Sequence, residues 1–173
     1  MKRLILAAIL LSAPATAHVT LEPALAVAGS NLRAALRVPH GCGAAATERI
    51  ELRFPEGVIM ARPMPVPGWR INIVRAPLNP PIDNGHGGLI RERVAGITWE
   101  GGPLPDEHYG EFVVMFRVPD RAGETVDLPV MQYCTGGVVA AWVEIPQAGR
   151  RVTDYPHPAP TLRVLAPRLV GGN

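Results

Sequence analysis

Beyond residue 30 the chain alternates apolar and polar positions with a period of two. The clearest runs are Leu32-Ala34-Leu36-Val38, Ile50-Leu52-Phe54, Trp69-Ile71-Ile73, Phe112-Val114-Phe116-Val118 and Val138-Ala140-Trp142. Successive side chains of a strand point to opposite faces, so each run predicts a strand with one face on a core. One last strand is predicted near Leu162 to Val164. Between the runs stand the breakers Pro55-Glu56-Gly57, Pro67-Gly68, Asn79-Pro80-Pro81, Asn84-Gly85, Gly87-Gly88 and Gly101-Gly102-Pro103. No segment after residue 17 sustains a helical period. Short strands with frequent turns predict an all-β fold, a two-sheet antiparallel sandwich of immunoglobulin-like or cupredoxin-like outline. The pattern leaves the strand order open. The turn-rich stretch 77–89 is predicted to be an exposed loop, and 150–160 a proline-rich connection to the last strand.

The first 17 residues read differently. Lys2 and Arg3 precede an apolar run from Leu4 to Ala13, then Pro14 and the small-residue signature Ala15-Thr16-Ala17. This is the pattern of a secretory signal peptide cut after Ala17. Its apolar core of about ten residues falls short of the roughly 20 needed to span a bilayer, so no stable membrane anchor is expected after cleavage. The expected organisation is a signal peptide over 1–17, one sandwich domain over 18–166 and a tail over 167–173. Export across an inner membrane, to a periplasm, is the expected localisation.

Charge and cysteine content narrow the chemistry. The chain has 17 Lys and Arg against 15 Asp and Glu, and the excess of two is Lys2 and Arg3. A balanced exported portion argues against nucleic acid as a partner, because phosphate contacts need clustered cations. Both cysteines, Cys42 and Cys134, lie in the exported portion. In an oxidising compartment an even pair reads as one disulfide, with a pair of thiolate metal ligands as the competing reading.

Cleavage would make His18 the first residue, and a terminal histidine has a free α-amine beside its imidazole. Amine and Nδ1 together close a chelate ring on one metal ion. Free α-amines and imidazoles both lose their protons near neutral pH, at reference pKa values of about 8 and 6.5. Copper(II) suits such planar nitrogen sites and stands at the top of the divalent affinity order. His40 is the second candidate ligand. It stands in the turn Val38-Pro39-His40-Gly41-Cys42, which a disulfide at Cys42 would hold still. An antiparallel return of the first strands would bring this turn beside the N-terminus. His86, His108 and His157 read as ordinary surface histidines. Trp142 alternates with small apolar residues, a core pattern whose functional reading is an indole packed near the metal.

Seven fragments in order carry a family resemblance: Ala17-His18-Val19-Thr20-Leu21-Glu22-Pro23, Arg37-Val38-Pro39-His40-Gly41-Cys42, Pro55-Glu56-Gly57-Val58, Pro67-Gly68-Trp69, Trp99-Glu100-Gly101-Gly102-Pro103-Leu104-Pro105, Glu111-Phe112, and the spacing of Gln132, Cys134 and Trp142. Together they resemble the YcnI-like copper-binding domain family over roughly residues 18–165. The resemblance implies an exported bacterial sandwich that binds one copper(II) through a histidine brace at the mature N-terminus, with a tryptophan close by. In the family the brace is completed by a glutamate from the turn after the first strand pair. Here that turn carries His40 and has no acidic residue between Arg37 and Thr47. Either His40 replaces the carboxylate, the favoured reading, or Glu22 or Glu48 supplies it.

The leading expectation is therefore a non-enzymatic copper(II) protein in storage, trafficking or homeostasis, with no catalytic residues. Its partners would be the copper ion and a copper chaperone or membrane copper transporter. A copper-dependent redox enzyme of the polysaccharide monooxygenase type is the first alternative, weakened by an aromatic content of 5%. A blue-copper carrier would need a lone thiolate followed by a histidine, and none follows Cys134 before His157. An adhesion or assembly sandwich without metal is the remaining alternative.

Overall fold

A computed structural model describes residues 18–167. The expected signal peptide, with Lys2 and Arg3, and residues 168–173 of the expected tail lie outside the described residues.

Twelve strands follow in chain order: β1 (Thr20–Glu22), β2 (Leu25–Val27), β3 (Asn31–Val38), β4 (Thr47–Arg53), β5 (Ala61–Pro63), β6 (Trp69–Asp83), β7 (Leu89–Leu104), β8 (Gly110–Arg117), β9 (Thr125–Asp127), β10 (Val130–Cys134), β11 (Val139–Trp142) and β12 (Thr161–Leu165). Two 3₁₀ turns, Thr135–Gly137 and Val152–Asp154, are the only helical elements among the described residues. The strands form a four-stranded sheet β1-β3-β8-β5 and a five-stranded sheet β11-β10-β4-β7-β6. A small third sheet, β2-β12-β9, adds one parallel pair, β2 with β12, to the otherwise antiparallel pairing. The all-β sandwich is as the alternation predicts; this small sheet, made from two three-residue strands and the last strand, is an addition that the alternation is too short to signal.

Packing follows the period of two. In β10 the inward positions are Val130, Gln132 and Cys134; in β3 they include Leu32, Ala34, Leu36 and Val38. These meet Ile50 and Leu52 of β4, Ile97 and Trp99 of β7, and Phe112, Val114 and Phe116 of β8 in one core. Removing that much apolar surface from water is the main force holding the layers together, at roughly 25 cal/mol per Å².

Two breaker readings change. The stretch 77–89 is not a loop: β6 runs to Asp83 and β7 starts at Leu89, so it forms the outer part of a long hairpin. Its prolines are tolerated because β6 is an edge strand with β7 as its one neighbour, and pairing lapses between Pro77 and Ile82. Asn84 closes the turn, its side-chain Oδ1 accepting from the main-chain N–H groups of His86 and Gly88. Gly101-Gly102-Pro103 likewise lies inside β7. Gly101 has φ 147°, and a Cβ there would stand 2.2 Å from the Gly68 carbonyl oxygen, so these glycines permit close strand approach where they were expected to break the strand.

Candidate metal centre

At one end of the sandwich β1 runs antiparallel to β3, with Thr20 opposite Arg37 and Glu22 opposite Ala35. Continuing that register by two residues sets His18 opposite Pro39, beside the turn that carries His40. Cys42 of this turn forms a disulfide with Cys134 at the end of β10, with a Cα–Cα distance of 6.1 Å. The bridge excludes thiolate ligation at either cysteine, and no free cysteine exists among the described residues.

Gln132 organises the space between. It is 1% exposed, at an inward position where an apolar residue is the rule. Its Nε2 donates to the His40 carbonyl at 2.9 Å and to Thr47 Oγ1 at 2.8 Å. Its Oε1 accepts from the Trp142 indole Nε1 at 3.0 Å. One amide thus pairs three groups, two of them buried, each of which would be costly to leave unmade. The Trp142 ring meets the His18 ring edge-on with centroids 5.7 Å apart, and the His157 ring with centroids 5.2 Å apart.

The two candidate ligands differ in their ring nitrogens. His40 Nδ1 lies 2.6 Å from the Gly41 carbonyl oxygen. A carbonyl only accepts, so Nδ1 is the donor, and in the neutral imidazole the lone pair is then on Nε2. A ring N–H fixed on a main-chain carbonyl is the usual outer support of a metal-binding histidine. Of His18, Nε2 is buried without a hydrogen-bond partner among the described residues. That ring packs edge-on against Trp142.

The carboxylate alternatives are placed elsewhere. Glu22 pairs with Arg37 at 2.5 Å on the outer face of the four-stranded sheet. Arg37 also donates to Tyr109, whose hydroxyl in turn bonds Glu111. The bond to Tyr109, and then that to Glu22, holds the Arg37 guanidinium above its usual pKa. Glu48 is exposed and lines a separate depression with Arg49, Glu100, Gly101 and Tyr133. The carboxylate that does reach the His40 turn is Asp106, whose Oδ1 accepts the Gly41 N–H at 2.9 Å. Among the described residues no three His, Cys, Asp or Glu side chains gather to hold a metal. A site built on His18 and His40 therefore needs a further donor, and its two imidazoles suit a nitrogen-seeking ion.

Sequence reasoning did not assign Gln132, Asp106 or His157 a place here. For Gln132 a signal existed, a polar residue between the inward positions Val130 and Cys134. For the other two none did. Asp106 arrives from the turn after β7. His157 is exposed, as a surface histidine should be, but Glu144 fixes it beside Trp142: its N–H donates to Glu144 Oε2 at 2.5 Å and its carbonyl accepts from Glu144 N at 3.1 Å.

Fold and site together define an immunoglobulin-type sandwich with three histidines, a buried glutamine and a tryptophan clustered at one end. The chain belongs to the family described as Domain of unknown function (DUF1775), whose model matches residues 18–164. It is 26% identical over 148 residues to the copper-binding protein CutI of Bacillus subtilis (strain 168), a match covering 84% of this chain and 62% of that relative. The chain thus matches less than two thirds of that relative's length. It is also similar to a crystal structure of an uncharacterized protein from Nocardia farcinica with an immunoglobulin-like fold, at 28% identity and a TM-score of 0.66, covering 86% of this chain and 98% of that one.

Proposed function

We propose that this protein binds one copper(II) ion at a histidine brace formed by the α-amine and Nδ1 of His18 and by Nε2 of His40, and that it serves copper storage, trafficking or homeostasis after export. The observation that carries this reading is the tautomer of His40. With its proton spent on the Gly41 carbonyl, the ring presents Nε2 as a lone-pair donor from a turn held by a disulfide and by Gln132. The likeness to a protein named for copper binding supports the choice of metal.

Each neighbour has a role in this reading. Trp142 covers one side of the His18 ring and limits water there. Gln132 fixes Trp142 against the His40 main chain, so both histidines are positioned by one amide. Asp106 holds the Gly41 N–H and with it the turn. Bound copper would supply a tightly held, exchangeable divalent charge; delivery to a chaperone or membrane transporter and a periplasmic location belong to the same proposal.

The test is copper(II) titration of protein beginning at His18 and of the same protein with one added N-terminal glycine, read by electron paramagnetic resonance. The extension converts the amine to an amide, so the 1:1 high-affinity spectrum should be lost. Identical spectra from the two proteins would overturn the brace. Sequencing the N-terminus of the exported protein checks the cut after Ala17.

A further inference from the structure

We infer that the outer face of the four-stranded sheet, at the end formed by β5, β8 and the start of β3, docks an acidic segment of a partner protein. In the register of that sheet Arg33 and Arg62 lie directly across from Met115 on either side, and Asn31 lies across from Arg117 in the next outward row. Met60, whose carbonyl accepts from Arg117 N, closes that row, and Met64, bonded to the Val113 carbonyl, closes the row on the other side of Met115. Met60, Met64 and Met115 are 47%, 45% and 46% exposed. Three half-exposed methionines, one on β8 and two flanking β5, stand among these arginines as an apolar patch with a cationic rim.

The same face supplies its own contrast. Toward the other end Arg37 is neutralised by Glu22 and bonded to Tyr109. Arg33, Arg62 and Arg117 take part in no ion pair among the described residues. Methionine and arginine are among the residue types enriched in protein interfaces, the first because it adapts to a partner's shape, the second because its planar fork takes a carboxylate on two bonds. Asn31, Met60, Arg62, Met115, Phe116 and Arg117 already line a depression of about 200 Å³. Around the β5 edge Met60 and Arg62 also border a groove lined by Ile59, Ile73, Arg75, Ile90 and Glu92.

The charge pattern selects the occupant. A thioether cluster alone would suit a soft metal ion, but the surrounding guanidinium groups repel cations. A membrane or nucleic acid laid flat on the sheet would also meet Glu22 and Glu111 on the same face. A short protein segment carrying carboxylates and apolar residues covers the arginine–methionine half alone. This inference does not depend on copper.

The test places a photo-crosslinking residue at Met115 of the full chain in the cells that make it, with Arg70 on the other sheet as the control position. The expected result is a dominant protein adduct from position 115 whose cross-linked segment is rich in Asp and Glu. Its yield should fall about tenfold in the Arg33→Glu, Arg62→Glu double variant, whose folding is checked by thermal melting. Milder Arg33→Gln and Arg62→Gln variants should lower the yield in the same direction. Adducts with lipid, with nucleic acid, with a second copy of this chain, or with segments lacking carboxylates would overturn the proposal, as would equal yields from positions 115 and 70.

Discussion

The end of the sandwich around Trp142 and the outer half of the β6–β7 hairpin are built from similar residues and behave as opposites. Both contain prolines, glycines, a histidine and strand-forming apolar residues. At the Trp142 end, polar groups are buried and paired: Gln132 bonds to His40, Thr47 and Trp142, and a disulfide ties the His40 turn to β10. In the outer part of the hairpin, residues 83–87 are exposed throughout, and Leu89 is 55% exposed. The difference teaches where this fold is rigid. Ligand geometry survives only where side chains are locked by packing and second contacts, and that condition holds at one end alone.

The largest expected effect is at the bridge. Replacing Cys42 and Cys134 together by serine should lower unfolding free energy by about 2–5 kcal/mol, measured by urea denaturation. An unchanged midpoint would mean that the Trp142 end is rigid without its crosslink. Next comes Gln132→Leu, which leaves the Trp142 Nε1, Thr47 Oγ1 and the His40 carbonyl without their partner. We expect a loss of about 2–4 kcal/mol in the same assay, with weaker copper(II) binding by titration. Trp142→Phe keeps a ring beside His18 but strands Gln132 Oε1, and should cost about 1–2 kcal/mol and alter the copper resonance spectrum.

On the hairpin side the comparison predicts small numbers. Replacing residues 78–91 by Asn-Gly, which joins Pro77 to Glu92 across their observed pairing, should change stability by less than about 1 kcal/mol, because few packed contacts are lost. A loss comparable to that of the disulfide variant would erase the contrast. The smallest effect is expected outside both regions, at Asp127 of β9. Partial burial raises its pKa above the usual carboxylate value. The folded state then prefers the proton, so its contribution to stability is complete below the unfolded pKa and is lost as pH rises through the folded one. Asp127→Asn should therefore be slightly more stable than the parent at pH 7, by about 0.5 kcal/mol or less, with the advantage vanishing below pH 4 or so; paired melting curves over that range check the sign.

Much of the fold was legible because alternation is a local property. The runs at 32–38, 50–54, 112–118 and 138–142 coincide with β3, β4, β8 and β11 to within a few residues. The hairpin was misread as a loop because Asn79-Pro80-Pro81 and the glycines after Asn84 are local stop signals. An edge strand overrides them, since its outward N–H groups need no partner within the sheet. At the site, the pairing of Cys42 with Cys134 was the reading that an even number of cysteines and the expected export favoured. Asp106 and His157 were not legible, since each reaches the site through a turn whose path depends on strands far away in sequence.

The sequence by itself determined the periodicity of the strands, the inward positions that make the core and the presence of histidines with the chemistry of a metal ligand, and it favoured a bridge between its two cysteines. Only the tertiary structure decided that one glutamine amide would join the His40 turn to Trp142, that His40 Nδ1 would face a main-chain carbonyl, and that arginines without an ion pair among the described residues would flank three methionines on one sheet face. The physical reason is range. Strand period and residue chemistry are fixed by neighbours along the chain, whereas hydrogen-bond partners and surface charge patterns are fixed by which strands lie side by side.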